Sequence, residues 1–186
     1  DQGQIFRVDV DTIERIEELG VVLASGRKLE ADIIVAATGL KLLLLGDVAV
    51  SVDGKRADPS KSMTYKGMMF SDLPNLSYSF GYTNASWTLK ADLTSGYLCR
   101  LLNHMASRDY RIAVAERQAD VGEMPFLDFS SGYVQRAAGV LPRQGDRAPW
   151  KLHQNYALDM ASLKLGKVED GVIQFRGCRD GQEKAA

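Results

Sequence analysis

The sequence is poor in the residues that usually announce chemistry. Its 186 residues include two cysteines, two histidines, two tryptophans and five prolines. Cys99 and Cys178 make no CxxC pair, so neither a dithiol centre nor a zinc ribbon can be built from them. Unpaired cysteines, one on a candidate helix, imply reduced thiols and a cytoplasmic setting. His104 and His153 are far apart, with no cysteine or carboxylate at metal-ligand spacing, and are expected to be ordinary surface or core histidines. There is no GxGxxG, no P-loop, no GxSxG and no Ser-His-Asp ordering. A charge excess is missing as well. The 23 Lys and Arg against 24 Asp and Glu give a net charge of −1, with the basic residues scattered. That pattern argues against nucleic acid or an anionic membrane as a main partner. The longest apolar run, residues 33–50, is broken by Lys41, Gly46 and Asp47, so no membrane span is expected, and no signal peptide is read.

What is present is globular in composition, 45% hydrophobic and 25% charged, enough for one ordinary domain or parts of two. The chain is organised around residues 74–105, which read as a strand, a glycine-bearing turn and a long helix. Leu76, Tyr78 and Phe80 alternate with Ser77 and Ser79, the period of a strand with one buried face. Gly81 ends that run, and Asn84 and Ser86 are both acceptable helix caps. Leu89, Leu93, Tyr97, Leu101 and Met105 then recur every fourth residue, with Leu98 and Leu102 widening the stripe. A strand entering a helix through a small polar turn aims unpaired backbone N–H groups beyond the strand end. An ordinary packing unit has the same pattern.

Before this stretch, short strands are expected over residues 12–17, 21–24 and 28–30, the last two joined by a turn at Ser25 and Gly26, and a weak alternation runs over 5–10. The apolar run 33–37, followed by Thr38 and Gly39, reads as a parallel strand buried on both faces. Its C-terminal end is where open α/β sheets hold ligands. Val48, Val50 and Val52, with Asp53-Gly54, predict a hairpin over 47–57, and 66–70 is a further strand candidate. After the long helix an edge strand is expected at 111–115. A loop-rich wrap over 120–149 would carry one short helix near 132–138. A helix is expected over 150–165, then a last strand over 172–176 after the Asp170-Gly171 turn and a polar tail without fixed structure. A sheet that begins on its late strands reads as the C-terminal portion of something larger.

ADIIVAATG, YKGMMFSDLPN at residues 65–75, GYTNASWTLKADL at 81–93 and PWKLHQNY at 149–156 carry a resemblance over almost the whole chain. The sequence resembles the flavoprotein monooxygenases that use FAD and NADPH, within them the Baeyer–Villiger group, and is most like its ethionamide-activating branch. The resemblance implies an α/β fold, the C-terminal part of a flavoprotein with two dinucleotide-binding domains. Residues 1–40 would end the NADPH-binding domain, 41–119 complete the FAD-binding domain, and 120–186 form the wrap. It also implies FAD and NADP as cofactors of the complete enzyme. Oxygen from dioxygen would be inserted through a peroxyflavin into a ketone or a soft heteroatom such as sulfur. Thr38, Gly39, Asn84, Ser86, Trp87 and Thr88 would lie at the cofactors, with Trp87 a flat wall to flavin or substrate. The family's glycine turns and catalytic arginine have no counterpart here, so no catalytic residue is assigned and the isolated chain is expected to be inactive. The alternative is a non-catalytic remnant, or half of a split enzyme with its N-terminal half on another chain. A disulfide oxidoreductase fails for want of paired cysteines.

Overall fold

The computed structural model describes residues 10–39, 41–127 and 139–177, and it separates into two compact units, Asp1–Leu40 and Lys41–Ala186. In the first unit the expected short strands form: β1 (Ile13–Glu17), β2 (Gly20–Leu23) and β3 (Lys28–Glu30) make an antiparallel meander in sequence order. Gly20 opens β2 at φ 147°, and a Cβ there would run into the Leu29 carbonyl. The meander buries Val22 and Leu23 but leaves Ile13, Ile16 and Leu19 outside.

The buried parallel strand expected over 33–37 does not form. These residues join no ladder, and Ile33 and Val35 are 82% and 84% exposed. A central parallel strand needs a hydrogen-bonding neighbour on each edge, and among the described residues of this unit none supplies one. Thr38 and Gly39 therefore do not end a strand here; Gly39 stands at φ 88°. Most of the 5–10 alternation lies outside the described residues.

The second unit opens on a tight turn at Leu44–Asp47, in which Leu45, Gly46 and Asp47 all have positive φ. The hairpin of β4 (Val50–Val52) and β5 (Lys55–Ala57) turns through Asp53 and Gly54 at φ 51° and 77°. Positive φ at both central residues is what a type I′ turn requires, as the Asp-Gly pair predicts. The single strand expected over 66–70 is instead part of a second hairpin. β6 (Thr64–Tyr65) and β7 (Met69–Phe70) pair across Lys66 and Gly67, both at positive φ. The strand expected over 76–80 also fails to form a ladder, leaving one bridge from Ser77 to Met69. Side chains hold that segment: Tyr78 stacks on Phe70 at 4.4 Å, and Ser77 Oγ donates to the Met68 carbonyl at 3.0 Å.

The long helix is where its periodicity puts it, α1 (Trp87–Ser107), burying Leu93, Tyr97 and Leu101. Its stripe is shifted at both ends. Leu89 and Leu102 are exposed, whereas Lys90 and Thr94 are buried. After α1, β8 (Tyr110–Ala115) pairs antiparallel with β11 (Ile173–Gly177), the expected edge and last strands. Between them lie β9 (Glu123–Pro125) and β10 (Arg143–Gly145), a short pair that the loop-rich composition hides. The helix expected near 132–138, Cys178 and the polar tail fall outside the described residues. The helix expected over 150–165 starts late. Trp150 sits in a turn, wholly buried, with its indole N–H donating to Gln118 at 2.9 Å. Only then does Asn155 cap α2 (Tyr156–Asp159), which widens into a π turn over Met160–Leu165. Arg100 of α1 closes that turn by donating to the carbonyls of Leu163, Lys164 and Gly166. In the main core Tyr97 and Leu101 of α1 meet Tyr65, Met69, Ala113, Ala115, Trp150 and Leu163, and a smaller cluster gathers Phe80 and Leu152 around Phe126 and Leu141.

Candidate functional site

The first turn of α1 is built without the usual cap. Ser86 holds the cap position with extended backbone, but its side chain accepts no bond from the helix N–H groups. Its hydroxyl pairs with that of Thr88 at 2.7 Å. The first-turn N–H groups of the helix are thus left without a side-chain acceptor, and residues 83–89 are exposed. Asn84 is not a cap either. Its Nδ2 donates to the main-chain oxygen of Gln154 at 3.3 Å, away from the helix.

Trp87 is 57% exposed, and its ring lies over Gly81, where a Cβ would overlap it. Phe80 stands beside Trp87 with ring centres 5.2 Å apart, and Phe126 meets Phe80 edge-on at 5.0 Å. These rings, with Tyr78, Tyr82 and Leu42 to Leu45, wall a cleft of about 620 Å³. A second hollow of about 550 Å³ shares Leu42, Leu43 and Leu44 and carries Asp47, Arg56 and Asp58. Of the six residues singled out from the sequence, Asn84, Ser86, Trp87 and Thr88 come together in one exposed turn. Thr38 and Gly39 belong to the first unit.

Sequence reasoning missed the buried charges behind this turn. Lys90 and Asp159 form an ion pair at 3.0 Å, with both side chains at least nine-tenths buried, and Lys90 Nζ also reaches the Lys66 carbonyl at 3.4 Å. Burial pulls the Lys90 ammonium below the ordinary lysine range, and Asp159 opposes that shift. Tyr82, 2% exposed, lies with its ring 6.0 Å from the Lys90 ammonium. Burial and the neighbouring Asp159 push its phenol up. A second cluster joins Lys66 to Asp170 at 3.3 Å, while the Tyr65 hydroxyl donates to Asp170 at 2.6 Å and contacts that of Tyr97 at 3.1 Å. Burial raises Tyr65 steeply and Tyr97 to about 12. The signal was present: positions 90, 94, 97 and 101 share a helical face, so a lysine there had to be buried and paired.

Among the described residues no cluster of His, Cys, Asp and Glu could hold a metal ion, and no helix is long and apolar enough to cross a membrane. Exposed N–H groups beside a flat, apolar-walled cleft suit a planar aromatic group bearing partial negative charge. No family model matches the chain. No solved structure matches it either. The FAD-containing monooxygenase EthA of Mycobacterium tuberculosis is 50% identical over 182 residues, 93% of this chain and 37% of the relative. EthA of Mycolicibacterium smegmatis is 45% identical over 169 residues, 90% of this chain and 34% of the relative. The Acinetobacter baylyi protein named "Probable FAD-binding monooxygenase AlmA" is 45% identical over 179 residues, 95% of this chain and 36% of the relative. The chain spans little more than a third of the length of these relatives, and the part it matches is their C-terminal part.

Proposed function

We propose, from the premise that this chain is homologous to the C-terminal part of FAD-containing monooxygenases, that it supplies the flavin-facing helix and the substrate-side cleft wall of such an enzyme. The observation that carries the reading is the uncapped start of α1, with Trp87 exposed on an aromatic-walled cleft. A helix N-terminus carries roughly half a positive charge, which favours an anionic flavin ring nearby. The first-turn N–H groups and the Ser86 and Thr88 hydroxyls would hold the polar edge of FAD, and Trp87 with Phe80 would face its plane or the substrate. Bound FAD supplies the passage of two electrons from NADPH to dioxygen, one oxygen atom entering a ketone or a soft heteroatom such as sulfur and the other leaving as water. The chain's own part is to exclude water with its leucines and rings and to orient the substrate against Trp87.

NADPH binding at Thr38 and Gly39 belongs to the same reading, as does a cytoplasmic setting. The residues on this chain bind the cofactors only in company with an N-terminal portion that brings the phosphate-binding glycine turns. The exposed Ile33 and Val35 are the surface that such an N-terminal portion would cover. The deciding measurement is a visible absorption spectrum after gel filtration. Purified alone, the chain is expected to show no flavin band. Co-expressed with an upstream polypeptide bearing GxGxxG, it is expected to co-elute with one. A complex that elutes without flavin would sink the proposal.

A further inference from the structure

We propose that Gln154 is a positioning residue that holds the start of α1, and Trp87 with it, from the C-terminal part of the same unit. The functional sense of this rests on the reading that the turn faces a flavin; the tether itself stands without it. The Thr83 N–H donates to Gln154 Oε1 at 3.0 Å across 71 positions of sequence, and the Thr83 hydroxyl donates to the same oxygen at 3.1 Å. Asn84 Nδ2 donates to the Gln154 main-chain oxygen. One residue thus satisfies donors on two successive residues of a turn whose helix has no cap of its own.

Gln154 does this with φ at 49°, a region that a residue bearing a Cβ enters at a cost. Such a backbone persists where its surroundings over-determine it, and it clusters at sites that depend on it. The grip is repeated one helical turn on, where the buried Asp159 holds Lys90. Trp87 lies between the two anchors, Asn84 and Lys90, with its ring on Gly81. The cleft wall is therefore set by residues 154 and 159 as much as by the helix that displays it.

The test uses the 186-residue chain without flavin, kept soluble by Ile33→Ser and Val35→Ser in the separate first unit, and reads two local signals. One is hydrogen exchange at the Thr83 amide; the other is acrylamide quenching of tryptophan emission, which reports Trp87 because Trp150 is wholly buried. Gln154→Asn tolerates the same backbone but is one methylene too short to reach Thr83. It is expected to speed Thr83 exchange about tenfold and to raise Trp87 quenching with little change in melting temperature. Gln154→Glu keeps the accepting oxygen and is expected to hold both signals at the wild-type level. Asn84→Ala removes one donor from the other side and should shift quenching in the same direction, less far, which keeps a reading if Gln154→Asn does not fold. Unchanged exchange and quenching in Gln154→Asn would overturn the proposal. So would a Gln154→Glu variant that behaves like Gln154→Asn, or faster exchange spread evenly over α1 and β8. Because neither signal involves flavin, the tether can fail while the flavin reading stands, and the reverse.

Discussion

Trp87 and Trp150 are the same residue type in opposite circumstances, one 57% exposed at the cleft and one wholly buried in the core. Trp150→Ala is expected to cost about 3–5 kcal/mol through the cavity it leaves, whereas Trp87→Ala should cost under about 1 kcal/mol. On the proposed reading, Trp87→Ala in the flavin-loaded enzyme is expected to change substrate preference and oxygenation efficiency more than NADPH affinity. Thermal melts beside ketone and sulfide turnover would decide it: a large drop in melting temperature with unchanged turnover would make Trp87 a core residue. Tyr97 gives a prediction in pH. Its folded value of about 12 lies above the ordinary 10.0, so the neutral phenol is favoured in the folded state. The stability it contributes is fully present below pH 10 and is lost as pH climbs from 10 to 12. Tyr65, Tyr78 and Tyr82 are raised in the same sense, each mainly by burial. Ionisation of these four should therefore coincide with loss of the helical circular dichroism signal on alkaline titration. Complete tyrosine ionisation with the helical signal intact would contradict this.

At the scale of elements, the pair Lys90–Asp159 fastens α1 to α2 through a buried charge contact. Removing one partner leaves the other charge buried and alone, so Asp159→Leu is expected to lose about 3–5 kcal/mol. Adding Lys90→Met should recover most of that loss, because two apolar residues of similar volume leave no unpaired charge. Urea titrations of the two single variants and the double variant measure the difference; a double variant as weak as the sum of the singles would show that the pair is not coupled. Elements such as these were legible in the sequence to the extent that their causes were local. The Asp53-Gly54 hairpin needed two residues, and α1 needed only its repeat. Residues 66–70 misled because Lys66, ordinarily a poor turn residue, takes positive φ beside Gly67. The late start of α2 follows from the left-handed backbone at Gln154, which no periodicity announces. At the candidate site the exposed turn and Trp87 could be read from the chain. Gln154 and Asp159 could not, because what they do depends on partners some seventy residues away.

For the whole molecule, the first unit is the part least able to stand by itself. It leaves Ile13, Ile16, Leu19, Ile33 and Val35 exposed while burying Val22 and Leu23. A unit with so little core is expected to aggregate or to depend on a partner when the chain is expressed alone. Replacing Ile33 and Val35 by Ser should increase the soluble fraction of the isolated chain and weaken its co-purification with the upstream polypeptide. Wild-type chain that runs as a monodisperse monomer with one sharp melt would count against this expectation.

The pairing of β8 with β11 sets an order of events during synthesis. Ala113 and Ala115 belong to the core, yet the ladder partner of β8 is a strand that begins at Ile173. Asp170, which accepts from Tyr65, arrives just before it. On a ribosome the helix can form early, but the unit cannot close until these last residues emerge. A nascent chain stalled at residue 165 would hold α1 with the Tyr65 hydroxyl and one edge of β8 still waiting. Truncation into residues 170–177 would thus cost the unit its closure, whereas most deletions of similar length in surface loops would cost only a loop.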